Sequence, residues 1–170
     1  MSGIVAQNVG RQSGLVKTVT GGGEWTLIQT LTSDGSDATI SFTSGLDDTY
    51  DEYCFKYINI HPETDDSEFQ FQATTDGSNF NVTSTSTHFT ANHDEADTAT
   101  QLAYKTDRDT AQATGFLNAG LNVGADADQN ASGWLYVFNP ASTTFVKHFM
   151  LQSNSSGQDN YSRVGFAAGY

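Results

Sequence analysis

The chain has 170 residues, enough for one domain with a real core, and its 11 Phe, 7 Tyr and 2 Trp supply much of what can be buried. Only 7 Lys plus Arg stand against 20 Asp plus Glu, a formal net charge of −13; that balance excludes a polyphosphate partner held by counterion release and an anionic membrane surface. Thr, Phe, Tyr, Val and Gly prevail over the Ala, Leu, Glu, Lys and Arg of helical bundles, which points to strands joined by tight turns.

Residues 1–23 differ from the rest. Gly3, Gly10, Gly14 and Gly21-Gly22-Gly23 bracket small apolar groups, and Arg11 and Lys17 are the segment's only charged side chains. It is too rich in glycine for a helix and too short for a core. The expectation is an extended arm that docks on an acidic neighbour such as a sister subunit, through Ile4, Val5, Arg11, Leu15, Val16 and Lys17. Residues 24–170 then form the β domain. The N-terminus lacks the basic start and apolar centre of a signal peptide, and no stretch has the length of a membrane-spanning helix, so synthesis in the cytoplasm is expected.

From Trp25 the chain reads as strands. Trp25–Leu31 is the first, closed by the Asp34-Gly35 turn signal, and Ala38, Ile40 and Phe42 alternate with polar residues in the second. An acidic loop, Gly45–Asp51, leads to the densest aromatic strand, Tyr53–Ile60. Phe69 and Phe71 mark the next, ending at Asp76-Gly77, and Phe80 and Val82 begin another. From Thr87 to Gln101 the pattern weakens, and residues 93–104 are too rich in Thr for a good helix, so a long loop with local turns is expected there. Trp134–Phe138 is a clear strand, turned by Asn139-Pro140 and followed by Thr144–Leu151; a polar loop, Asn154–Asn160, precedes Ser162–Phe166. Seven or eight short strands at near-regular spacing predict an all-β sandwich or barrel. Trp25, Tyr53, Phe55, Tyr57, Trp134, Tyr136, Phe138, Phe145 and Phe149 are the expected core.

No constellation of catalytic residues rises above background. Cys54 lies in a strand-like run without a nearby His and reads as a small buried hydrophobe. His88 and His93, five apart beside Asp94 and Glu95, lack a third ligand in register for zinc and read as part of a solvated loop. Asp126, Asp128 and Asn130 open like a calcium loop, but Ala131 stands where the sharp-turn Gly belongs and Val137 where the bidentate Glu belongs. Asp47-Asp48 with Asp51, and Asp65-Asp66, read as acidic turns. Neither a nucleophile elbow nor a phosphate-binding glycine loop occurs. No cofactor and no catalytic activity are expected.

Three stretches together carry a resemblance: Asn8–Lys17, the strand Tyr53–Ile60 with His61-Pro62, and Ser132–Pro140 with its return Thr144–His148. The combination resembles virion structural proteins of tailed phages from marine and cyanobacterial hosts, of the tail-fibre-like or capsid-decoration kind. The resemblance spans nearly the whole chain and rests on framework strands and turns. It implies a jelly-roll-like antiparallel β-sandwich on the exterior of the virion, present in many copies as a homo-oligomer, a trimer by preference, with other virion proteins as neighbours and no catalytic residues. Members of that family run on past the region of Phe166–Tyr170 into further strands, which implies a sheet completed here by a neighbouring subunit's strand or arm.

Capsid decoration or a tail appendage, acting by many modest symmetric contacts, is thus the leading expectation. The alternative is a lectin-like module that recognises host-surface glycans through exposed rings such as Tyr50, Tyr104, Trp134 and Tyr161.

Overall fold

A computed structural model of the chain describes residues 25–170. The chain separates into two units, divided between Ser41 and Phe42, and each is taken by itself. In the first, the Asp34-Gly35 turn forms as expected. The Asp34 carboxylate accepts from the Ser36 N–H at 2.9 Å and from its hydroxyl at 2.6 Å, and Gly35 takes a φ of +90°. The strands expected at 25–31 and 38–43 do not form. Period-2 alternation says which side chains would share a face, but a strand also needs a neighbour for its backbone groups. All described sheet pairing is taken up by strands that begin at Glu52 or later. Trp25, expected in the core, is 61% exposed.

The second unit is all-β. Its strands are β1 (Glu52–Ile60), β2 (Ser67–Phe71), β3 (Ser86–Asp94), β4 (Thr100–Tyr104), β5 (Leu117–Val123), β6 (Ala131–Phe138), β7 (Phe149–Ser156) and β8 (Tyr161–Gly169). They are antiparallel throughout and make a six-stranded sheet of order β1-β6-β7-β8-β3-β4 and a two-stranded sheet, β2-β5. β5 lies over β6, β7 and β8, so the layers are those of a β-sandwich. A jelly roll is built from two Greek keys; here β6, β7 and β8 form a simple meander in the larger sheet.

The core is the seam between the layers. Register places Phe55, Leu135, Leu151 and Ala167 in one row of the larger sheet's inner face, and Tyr53, Val137, Phe149 and Gly169 in the next. Leu117, Ala119 and Leu121 of β5 close on them from the other layer, and Phe69 and Phe71 pack at its margin. Each Leu or Phe buried in this way contributes about 1.5–3 kcal/mol. The Tyr57 hydroxyl ties the layers by donating to the Ala119 carbonyl at 2.9 Å.

Four further expectations are corrected. Residues 87–104, expected as a loop, fall in the β3–β4 hairpin, turned at Asp94, whose carboxylate accepts from the N–H groups of Thr98 at 2.9 Å and Ala99 at 2.7 Å. The strand expected over 144–151 starts only at Phe149 and runs on to Ser156, through part of the expected polar loop. The Ser142 hydroxyl accepts from the Phe145 N–H at 3.1 Å and holds the preceding segment as a turn, which leaves Phe145 73% exposed and outside the core. Phe80 and Val82 begin no strand; only an isolated bridge, Ser84 to Ala113, follows them. Trp134, Tyr136 and Phe138 are half-buried on the opposite face of the sheet from the core.

Candidate functional site

Side chains alternate across a strand, so the register of the six-stranded sheet fixes what its second face presents. Lys56, Trp134, Gln152, Phe166, Phe89 and Tyr104 are successive partners from β1 to β4 and form a single row across all six strands. One row towards one end stand Cys54, Tyr136, Met150, Ala168 and Thr87; one row towards the other stand Ser132, Asn154, Val164, Ala91 and Leu102. Lys56 is the only charged residue in these three rows. Leu102 is 75% exposed, Met150 53% and Phe89 42%.

The rings on this face support one another. Phe89 and Phe166 stack with centroids 5.1 Å apart, Trp134 meets Tyr136 edge-on at 4.9 Å, and Tyr136 stacks on Phe138 at 6.2 Å. Such pairs fix the rings in place, so the surface is pre-formed. At its margin a depression of about 460 Å³ opens between Phe138, Met150, Ala168 and Tyr170. Five strand spacings make the face about 24 Å across. Apolar and aromatic side chains predominate on it, interrupted by Lys56, Gln152, Ser132, Asn154 and Thr87, and exposed apolar groups gathered on one face are the kind of surface that marks an interaction site.

The inner face of the same sheet changes character along β3. Ser86, His88, Thr90 and Asn92 point inward, and His88 and Thr90 are each only 1% exposed. Among the described residues, neither His88 ring nitrogen, nor the Thr90 hydroxyl, nor the Asn92 carbonyl oxygen has a hydrogen-bond partner. Burial lowers the His88 pKa below the ordinary histidine value; Asp107 and Asp109 oppose this and Lys105 adds to it.

No protein-family model matches this sequence, and comparison with curated proteins and with solved structures gives no match.

The residues singled out in the sequence fall as follows. Ile4, Val5, Arg11, Leu15, Val16 and Lys17 lie outside the described residues. Asp126 and Asp128 are exposed in the β5–β6 loop, and Asn130 is half-buried where its main-chain N–H donates to the Ser156 hydroxyl at 3.0 Å. Asp47 accepts from the Tyr53 hydroxyl at 2.9 Å, Asp65 accepts from the Ala125 N–H at 2.8 Å, and Asp66 accepts from the Asn122 amide. These carboxylates hold turns. Among the described residues no three His, Cys, Asp or Glu side chains converge as metal ligands.

His88 and His93 are not in a solvated loop. An odd spacing on one strand sends them to opposite faces, His88 inward and His93 outward to Asp97 at 3.1 Å. Cys54 is half-buried on the open face, where burial pushes its thiol pKa up. Of the rings proposed for glycan contact, Tyr104 and Trp134 share the open row, whereas Tyr161 lies on the inner face two residues before Arg163. Tyr50 packs edge-on against Tyr53 at 5.8 Å. Sequence reasoning missed Phe89, Leu102, Met150 and Phe166 as members of the open face. Alternation within β8 was the available signal for Phe166.

Proposed function

We propose that this chain is a non-catalytic assembly subunit, a β-sandwich that packs against copies of itself through the open face of its six-stranded sheet. The observation that carries this reading is the row Trp134, Phe166, Phe89 and Tyr104, which no strand of the described residues covers, flanked by the exposed Met150 and Leu102. Charge supports a second copy as the occupant. Each copy carries a formal −13, so two meet with least repulsion where the surface is almost free of charge. The open face is such a surface, and aromatic and Met side chains are the types enriched at the centres of protein interfaces.

The setting we propose for this assembly is the exterior of a phage particle, as capsid decoration or a tail appendage, in keeping with the sequence resemblance. Many copies with modest individual contacts would hold by multivalency.

The test is the mass in solution of the full chain and of Leu102→Glu/Met150→Glu, measured by light scattering after size exclusion. Both side chains are exposed, so the fold tolerates the change. The wild type is expected at a multiple of the chain mass and the double variant at one chain mass, with identical β circular dichroism. A double variant that keeps the wild-type assembly, or a wild type that is a single chain at tens of micromolar, would overturn the reading. The virion setting has its own check: mass spectrometry of purified particles should find the chain in many copies, and its absence contradicts the placement.

A further inference from the structure

The six-stranded sheet has two edge strands, β1 and β4, and they differ in kind. β1 is blunted. It carries Lys56 in mid-strand, its pairing slips between Tyr57 and Ile60, Asn59 takes a φ of +55°, and Pro62 follows its end. Charges, bulges and proline are the means by which an edge is kept from pairing with another chain. β4 has none of them. Thr100-Gln101-Leu102-Ala103-Tyr104 holds neither a charge nor a proline, and it pairs with β3 over its whole length without a slip.

The ladder also fixes which backbone groups this edge presents. The Lys105 N–H donates to the His88 carbonyl at 2.8 Å, and the Asp94 N–H donates to the Ala99 carbonyl at 3.1 Å. Bonded and non-bonded pairs alternate along an antiparallel ladder, so Gln101 and Ala103 also turn their N–H and C=O groups to β3. Thr100, Leu102 and Tyr104 turn theirs outward, where no hydrogen bond among the described residues meets them. The side chains of these three stand on the open face, with Leu102 75% and Tyr104 51% exposed.

We infer that β4 pairs antiparallel with β4 of a second copy, about a two-fold axis at Leu102, and joins two six-stranded sheets into one. The strand is its own complement. Leu102 exchanges both backbone bonds with Leu102 of the second copy, and Thr100 of each chain does so with Tyr104 of the other, so every outward group is met. The two Leu102 side chains then lie side by side on one face, an apolar cross-strand pair with no charge opposed. Direction follows from the ends of the strand. Glu95 and Asp97 precede β4 and Lys105 follows it, so antiparallel pairing turns each Lys105 towards the other chain's acidic turn, whereas parallel pairing opposes like charges. An extended peptide of another protein would need the same outward groups; the chain's own β4 brings them at matched length, with an uncharged centre and opposite charges at its two ends. This interface is separate from the open-face contact, and it carries that face from one chain into the next.

Disulfide trapping tests the pairing in a Cys54→Ser/Met150→Glu background, which removes the native thiol and sets a charge in the open-face contact. Residues opposed in a bonded antiparallel pair have Cα atoms about 5.5 Å apart, within the reach of a disulfide, whereas stacked sheets lie about 10 Å apart. Leu102→Cys is therefore expected to form a linked dimer in oxidised glutathione about tenfold faster than Thr100→Cys, whose partner thiol stands about 14 Å along the strand. Thr100→Cys mixed with Tyr104→Cys should link as fast as Leu102→Cys. Thr100→Pro removes an outward N–H without costing a bond to β3, so it should bring the Leu102→Cys rate down to that of Thr100→Cys at unchanged circular dichroism. Equal rates for Leu102→Cys and Thr100→Cys, or a Leu102→Cys rate that Thr100→Pro leaves as it was, would overturn the pairing. Because Met150→Glu acts on the open face and Thr100→Pro on the edge, failure here and failure of the open-face assembly are read separately.

Discussion

Single residues set how closely the strands of this sandwich approach. Gly133 of β6 faces the inner layer beside Tyr57, and a Cβ there would collide with the Tyr57 phenol and with the Gln152 carbonyl. The same hydroxyl bridges to Ala119, and burial pushes its pKa well above the ordinary tyrosine value, so the phenol stays a neutral donor. Gly133→Ala must therefore displace either a ladder strand or the tie between layers. A loss of about 1–3 kcal/mol is expected from such overpacking, measurable as a lower denaturation midpoint in urea at unchanged slope. An unchanged midpoint would mean that Tyr57 does not fix the layer spacing. Gly35 and Gly77 serve another purpose, since each takes positive φ in a turn that an Asp carboxylate organises.

At the scale of elements, β3 explains both a sensitivity of the fold and a failure of sequence reading. Its inward positions carry Ser86, His88, Thr90 and Asn92 where a strand would ordinarily show apolar residues. His88 is held neutral by burial, while the unfolded chain takes up a proton near pH 6.5. Below that pH the unfolded state binds more protons, so His88 contributes stability that is complete above about pH 6.5 and is lost as pH falls towards the lowered folded value. The slope is at most about 1.4 kcal/mol per pH unit for this one group. Urea midpoints between pH 7.5 and 5.5 should fall in the wild type and fall less in His88→Leu; parallel falls would remove His88 from the account.

The same polar inward line hid the β3–β4 hairpin from sequence reading, because its core-facing side is polar and its few apolar residues, Phe89, Ala91 and Leu102, are scattered on the outward side among Thr and His. Where inward positions were apolar, as at Phe55 and Tyr57 or at Leu135 and Val137, the strands and the antiparallel sandwich were legible. Which face of Trp134 and Tyr136 was buried was not legible. Period 2 gives two equivalent faces, and only the presence of β2 and β5 over one of them decides. The open face was invisible in the sequence for a further reason. Its central row takes one residue from each of six strands, several of them far apart in the chain, and only register brings them together.

For the whole molecule, two forces act on any pair of copies in opposite senses. The formal −13 on each chain drives copies apart, and the sparsely charged aromatic face draws them together by burial. Salt separates the two contributions. Screening shortens from about 10 Å at 0.1 M to about 3 Å at 1 M, which removes repulsion while leaving apolar burial intact. An assembly held instead by a basic segment on an acidic neighbour would loosen under the same treatment. The deciding measurement is therefore sedimentation velocity of the wild-type chain over a range of concentrations at 0.05 M and 1 M sodium chloride. Self-association that tightens with added salt is the result expected of copies meeting through the open sheet. Association that weakens with salt, or a single chain under every condition, would contradict it.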